Sequence, residues 1–408
     1  MNVKEIRSMF PALSRKVYGK DLIYFDNAAT SQRPQSVIDQ WNRISSESNA
    51  NIHRAVHRMA DEATRFYEQA RDAAKDFLNA EAREEIVFTS GTTASVNLVA
   101  FCFGEAFIEE GDEVIVTEAE HHSNIVPWQM MCNRKGAVLK VLPVDEDGYL
   151  RVGLLDELIT DRTKIMAVTH ISNVLGIINP VREIIEICHS REVPVLVDGA
   201  QGAVHCKVDV RDMDCDFYVF SGHKLYAATG TGVLYGKRKW LEKMPPYMGG
   251  GEMVGTVKFS ETTYAPLPMK FEAGTQNFAS AATLKQALDF INLLNDNELI
   301  EYNDSIKDYL LDYFRGDERI RLFGVPRGTS DDKIPLFSFT IEGVHHEDLA
   351  LILDKMGVAV RSGQMCAEPL MDRYGVTGML RASLAPYNTM EEAEYFVKSL
   401  NKAIDMLL

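Results

Sequence analysis

Seven short apolar runs, at 85–88, 113–117, 138–142, 164–169, 194–198, 216–220 and 232–235, alternate with helix-length segments. This alternation constrains the fold more than any other feature. Strands that read as continuous apolar runs, joined by helical crossovers, belong to a mainly parallel sheet covered on both faces. The expectation is an α/β chain with a seven-stranded, mainly parallel sheet in a large domain, 20–285. Helical stripes fit the same picture: Val181, Ile184, Ile185 and Cys188 share one face, and Phe66, Ala70, Ala73 and Phe77 form another.

A second pattern follows from residue 286. It predicts a long helix (286–314), a strand (334–341), a helix (347–355), a strand (357–360) and a last helix starting at Asn388, where Glu391 stands three residues on as in a capping box. Phe396, Val397, Leu400 and Ile404 form its apolar face. These elements predict a smaller α+β domain, 286–408, joined by the N-terminal segment 1–19. The stretch 245–275, rich in Gly, Pro and Thr and containing Gly249-Gly250-Gly251, is too long for a turn and is expected to serve a site or an interface.

Charge and composition exclude several classes. A formal charge of −16 disfavours nucleic acid or an anionic membrane as the main partner. The N-terminus has helical spacing (Val3, Ile6, Phe10, then Pro11) with interspersed charges, unlike a signal peptide, and apolar runs such as 98–103 fall far short of the roughly 20 residues that span a bilayer. Six cysteines without CxxC pairs or zinc-ligand spacing fit free thiols in a reducing cytoplasm. His53 and His57 are four apart, but no third ligand is apparent, so no metal site is expected.

The chemistry-bearing residues stand where the strands end, which is where open α/β sheets bind ligands. Asp198 closes the run 194–198, and Lys224 lies in Ser221-Gly222-His223-Lys224, just after the run 216–220. An aspartate that can keep a pyridine nitrogen protonated and a lysine that can form a Schiff base are the pair a pyridoxal phosphate enzyme requires. Ser90-Gly91-Thr92-Thr93 follows another strand and opens a helix, a place suited to a phosphate or simply to an N-cap. His121-His122 also follows a strand, where an imidazole could stack on a planar cofactor or serve the structure. Cys366 falls in a Gly- and Pro-punctuated loop, with Arg361 and Arg381 as cations that could favour its thiolate or bind a carboxylate. Arg381 stands in an apolar context, so its charge requires a partner.

Nearly end to end, the chain resembles the fold-type I, class V aminotransferase-like enzymes, and within them the SufS-type cysteine desulfurases, also described as selenocysteine lyases. The resemblance is carried by Tyr24-Phe25-Asp26-Asn27-Ala28-Ala29, Ala50-Asn51-Ile52-His53-Arg54, Gly91-Thr92-Thr93, Glu120-His121-His122-Ser123-Asn124, Ser172-Asn173-Val174-Leu175-Gly176, Asp198-Gly199-Ala200-Gln201, Ser221-Gly222-His223-Lys224, Phe271-Glu272-Ala273-Gly274-Thr275 and Arg381-Ala382-Ser383-Leu384. It implies pyridoxal 5'-phosphate bound covalently at Lys224, with Asp198 on the ring nitrogen, Gln201 on the phenolic oxygen and His121 over the ring. Thr92, Thr93, Ser221 and His223 would hold the phosphate, with Thr275 reaching in from the second subunit of a homodimer. Asn173, Arg361 and Arg381 would bind the substrate, and Cys366 would take sulfur from L-cysteine as a persulfide, leaving L-alanine.

Two departures from the family pattern stand out. Gln364 and Met365 replace the two histidines that many relatives carry before the nucleophile, and Glu347 stands before Asp348 where relatives with a zinc-bearing acceptor have histidine. The second points to a SufE-like acceptor in iron–sulfur cluster assembly. Alternatives on the same scaffold are a selenocysteine lyase, an aminotransferase, in which Cys366 would have no task, and a non-catalytic component of a sulfur-transfer assembly.

Overall fold

The computed structural model describes residues 2–54, 56–294 and 297–408. Its central sheet is built from β1 (Ile86–Thr89), β2 (Glu113–Thr117), β3 (Val138–Leu142), β4 (Thr163–Thr169), β5 (Val195–Asp198), β6 (Phe217–Ser221) and β7 (Gly232–Gly236). The spatial order is β1-β7-β6-β5-β4-β2-β3. Only β7 runs against its neighbours, β1 and β6; the other pairs are parallel. Every residue of β5, β6 and β7 is buried. That explains why their sequences are continuous apolar runs: both faces are covered, so no position is left for a polar alternate.

α1 (Arg58–Leu78) shows one correction. Its buried stripe is Ala63, Tyr67, Ala70, Ala74 and Leu78, whereas Phe66, Ala73 and Phe77 are half-buried on its flank. Phe66 instead carries the guanidinium groups of Arg43 and Arg65, each 5.4 Å from its ring. α2 (Thr92–Phe107) follows β1, and α3 (Val181–Ser190) buries the four residues expected of it.

The expected long helix, 286–314, is two helices, α4 (Phe278–Leu293) and α5 (Asn297–Gly316); residues 295 and 296 of that expectation lie outside the described residues. α4 packs on α1 and on the helix Gln35–Glu47, while α5 packs on elements of the small domain. Residues 285 and 286 therefore lie within one helix, which packs on α1 and also on Phe10 of the N-terminal segment through Phe290.

The small domain holds a four-stranded antiparallel sheet of β8 (Ile320–Phe323), β9 (Leu336–Ile341), β10 (Arg361–Gly363) and β11 (Met379–Ser383), in the order β8-β9-β11-β10. The strand expected at 357–360 is a two-residue piece, Val358–Ala359, lying parallel to Ile23–Tyr24 of the N-terminal segment. Around the sheet lie α6 (His346–Lys355), α7 (Glu368–Tyr374) and α8 (Met390–Leu407). The capping box of α8 is Thr389 with Glu392, one residue later than expected. Asn388 is occupied elsewhere: its Oδ1 accepts from Ala385 N, and its amide donates to Glu392 Oε2.

The stretch 245–275 carries an exposed hairpin, Val254–Val257 with Thr262–Tyr264. Among the described residues no helix is long and apolar enough to cross a membrane.

Candidate active site

The floor of the site stands on the carboxyl ends of the central strands. Asp198, the last residue of β5, is 2% exposed and accepts one hydrogen bond at Oδ1, from Ala200 N at 2.9 Å. Burial pushes its carboxyl up, against the pull of that N–H and of Lys224. Lys224 closes the tight turn after β6. Burial lowers its ammonium to about 8 despite Asp198, and its Nζ makes no hydrogen bond to the described residues. A lysine poised this way is an amine nucleophile and proton carrier near neutral pH. Gln201 follows β5 and donates from Nε2 to Ala28 O at 2.8 Å.

His121 caps the turn His122–Asn124 after β2 and accepts from Ser123 N at 3.0 Å through Nδ1, which leaves the ring proton on Nε2. Burial, with Lys224 and His122 adding to it, lowers the ring to about 3, so it is neutral. The preceding residue, Glu120, is fully buried and accepts from Thr117 Oγ1 (2.6 Å), Asn124 Nδ2 (2.7 Å) and Thr169 N (2.8 Å). Burial nevertheless pushes its carboxyl to about 8. Glu120 ties the ends of β2 and β4 together and holds Asn124 of the turn that His121 caps.

At the far end, the chain enters α2 through Gly91 at φ 147°, a conformation that favours glycine. Thr92 N and Thr92 Oγ1 each lie 2.8 Å from Ser221 Oγ. His223 Nδ1 meets Thr30 Oγ1 at 3.2 Å, and burial lowers its ring to about 4. Hydroxyls, a neutral imidazole and the start of α2, which has no side-chain cap from its own N-cap residue Gly91, converge here, as suits an anion site.

The roof comes from the small domain. Arg381, in the middle of β11, is 2% exposed; Nη1 donates to Asn173 O at 2.8 Å and Nη2 to Asp26 Oδ1 at 3.4 Å, while Nε has no partner among the described residues. Burial lowers the guanidinium to about 10, so a second carboxylate would be welcome beside Asp26. Arg361 Nη1 stands 3.9 Å from Asp26 Oδ2. Cys366 is the one exposed cysteine among the six.

One cleft of about 480 Å³ brings these groups together: Thr92, Thr93, His121, Asn173, Asp198, Gln201, Ser221, His223, Lys224, Arg361, Cys366 and Arg381 all line it. Thr275 does not; it is exposed and outside this cleft. Asn173 has a second task, donating from Nδ2 to Met365 O at 2.8 Å. His53 and His57 share no helix face, since His53 sits at φ 72° against Glu68 and His57 caps α1. Among the described residues no group of three or more His, Cys, Asp or Glu could hold a metal ion. Asp26 and Glu120 shape the site although sequence reasoning gave them no role in it, their only signal being their place inside the motifs; His122, put forward with His121 as a strand-end imidazole, bonds to the Cys366 loop.

Comparison with known proteins agrees with this geometry. The Aminotransferase class-V family matches residues 23–396. The chain is 44% identical over 402 residues to the cysteine desulfurase of Escherichia coli, covering 98% of each chain. Among solved structures it is similar to the cysteine desulfurase CsdA (S-sulfonic acid) from Escherichia coli, with TM-score 0.91, 40% identity and full coverage of both chains. It is likewise similar to the apo cysteine desulfurase of Thermococcus onnurineus, with TM-score 0.91, 34% identity, and 98% and 99% covered.

Proposed function

The chain belongs to the class V aminotransferases and, among them, to the cysteine desulfurases, and from that premise we propose that it converts L-cysteine to L-alanine and carries the sulfur as a persulfide on Cys366 to an acceptor protein for iron–sulfur cluster assembly. One observation carries the reading: an exposed thiol, a lysine with a lowered pKa and a buried arginine with a free N–H line the same cleft.

The residues present fit pyridoxal 5'-phosphate. A buried carboxylate with a single N–H partner suits a ring N–H, and the Thr92–Ser221 end of the cleft suits a phosphate. Lys224 would hold the group covalently, Asp198 its ring nitrogen, Gln201 its phenolic oxygen, His121 its face, and Thr92, Thr93, Ser221 and His223 its phosphate. Thr275 would serve the cleft of a second copy in a homodimer. Bound there, the cofactor supplies an electron sink for the substrate's α-carbon.

Arg381, with Asn173 and Arg361, orients the substrate carboxylate. Lys224, as the free amine, takes the α-proton. Cys366 thiolate attacks the substrate sulfur; the S–S bond forms as the C–S bond breaks, and its electron pair stays with the carbon skeleton, which is protonated and leaves as alanine. The large domain ending with α4 would be the cofactor domain and the remainder, with residues 1–19, the unit carrying the thiol. Glu347 before Asp348 at the start of α6 favours a SufE-like acceptor, and six free cysteines favour a reducing, cytoplasmic setting. Selenocysteine is a second substrate of the same class, because its weaker carbon–selenium bond depends less on attack by a thiolate.

Alanine formation from L-cysteine, with reductant and added pyridoxal phosphate, tests this in the wild type and Cys366→Ser side by side. Activity that collapses in the variant supports the persulfide route. Equal activity removes Cys366 as nucleophile and leaves a lyase.

A further inference from the structure

The Cys366 loop contains little that would hold it in place by itself. Met365 and Cys366 both occupy left-handed backbone, at φ 54° and 55°, a strained conformation for residues with side chains. α7 then starts without a side-chain cap from its own N-cap residue, Ala367. Inside the loop, Ala367 N donates to Gln364 O at 3.0 Å and Gln364 Nε2 to Glu368 Oε1 at 3.0 Å.

Met365 and Ala367, on either side of the thiol, are buried in the core, and of the three hydrogen bonds that reach the loop from the large domain two come from one residue. His122 N donates to Cys366 O at 2.7 Å, and His122 Nε2 accepts from Glu368 N at 3.0 Å. The residue therefore grips the backbone at the thiol and again two positions beyond it, with Asn173 adding the bond to Met365 O. His122 is itself well placed to do so: it begins the turn that Asn124 anchors on the buried Glu120. An imidazole can accept at Nε2 only while that nitrogen is unprotonated, so the ring proton belongs on Nδ1.

We propose that His122 is the positioning residue for the nucleophile: its imidazole, acting through Glu368 N–H, holds the Cys366 loop against the floor of the cleft at the reach that attack on the substrate sulfur requires. The proposal deepens the desulfurase reading and rests on it for the role of Cys366, but not for the geometry of the loop. Side-chain removal leaves the backbone bond of His122 and the Asn173 tether intact, so the loop loosens without detaching.

The test uses the holoenzyme, as wild type, His122→Ala and His122→Gln, the last offering an amide oxygen where Nε2 stood. Two rates are read: alanine formation from L-cysteine, and alkylation of Cys366 by iodoacetamide followed by mass spectrometry of its peptide. The buried Cys102, Cys132, Cys188 and Cys215 report any general loosening. In His122→Ala, kcat for alanine formation is expected to fall about three- to tenfold, the loss of one hydrogen bond to a partly solvated donor, with KM within about twofold. Cys366 alkylation is expected to rise by a similar factor, the buried thiols to stay silent, and His122→Gln to recover most of both changes.

Unchanged alkylation of Cys366 in His122→Ala, a Gln variant no better than Ala, or buried cysteines gaining reactivity alongside Cys366 would each overturn it. Alkylation needs no turnover, so a failure of the persulfide route, seen as alanine formation indifferent to Cys366→Ser, is separable from a failure of the clamp.

Discussion

The floor and the roof of the cleft are held in different ways. On the floor, Asp198, Lys224, His121 and Ser221 stand at or just after the ends of buried strands, tied by short hydrogen bonds among buried groups such as Glu120 and Thr92. On the roof, Arg381 is part of a strand, but Cys366 is exposed in a loop of positive-φ residues, anchored by the buried Met365 and Ala367 and by hydrogen bonds to His122 and Asn173. A cofactor must be met by groups already in place, because reorganising them during reaction costs rate. If Cys366 carries sulfur as proposed, it must reach a substrate and then present its cargo outward, which a loop permits.

Breaking the floor should cost most. Lys224→Ala is expected to lower alanine formation by about 10⁴-fold or more and to abolish the visible absorbance of the lysine-bound cofactor, while alkylation of Cys366 proceeds as in the wild type. Residual turnover within about tenfold of the wild type would erase the distinction between the two halves. The roof's fixed member comes next: Arg381→Lys keeps the charge but loses the planar fork that Asn173 O and Asp26 share and that, on the proposed reading, also takes the substrate carboxylate. An increase in KM of about 10- to 100-fold, with cofactor absorbance unchanged, is expected; a kcat loss at constant KM would count against carboxylate binding.

A pH measurement sharpens the comparison. The Lys224 ammonium is lowered to about 8 by burial, and only the free amine captures the cofactor. Mixing cofactor-free enzyme with pyridoxal phosphate should therefore give a rate of chromophore growth that rises roughly tenfold per unit below that pH and levels off above it. A rate still climbing through pH 10 would mean that the lysine is solvated.

Glu120→Gln is the mildest break. Its NH₂ group must replace either Oε1, facing Thr117 Oγ1 and Thr169 N, or Oε2, facing Asn124 Nδ2, whose orientation is fixed by Trp128 Nε1 at 3.2 Å from Oδ1. Setting a donor against donors should cost about 1–3 kcal/mol of stability, read by denaturant unfolding. The wild-type carboxyl is raised from 4.5 to about 8. Between those values the folded state holds a proton that the unfolded state has lost, so the stability from this group is full below 4.5 and is lost as pH rises through 8. Glutamine does not titrate, and the gap between the two proteins should narrow from pH 5 to pH 8. A constant gap would show that Glu120 is ionised throughout.

Much of this was legible in the chain. The central strands announced themselves because strands buried on both faces must be apolar at every position, and the residues that close or directly follow them, Asp198, Lys224 and His121, occupy the places where ligands bind in such sheets. β11 was not legible, because Arg381 interrupts its apolar run, nor was β8, a four-residue edge strand with the exposed Arg321 inside it. The stripe of α1 was misplaced by one position because aromatic and small residues occupy neighbouring faces, and arginine stacking drew Phe66 to the flank.

By itself the sequence determined the sheet, the residues at its strand ends and the accessible thiol, since each follows from local pattern and position along one element. Only the tertiary structure decided that Asp26 stands between Arg361 and Arg381, that Glu120 joins the ends of β2 and β4, and that His122 and Asn173 bond to the Cys366 loop. Asp26 and Arg381 are 355 residues apart and His122 and Glu368 are 246 apart. No local propensity encodes such pairs; they form because folding closes the small domain over the strand ends and leaves buried charges and unpaired N–H groups that must find partners there.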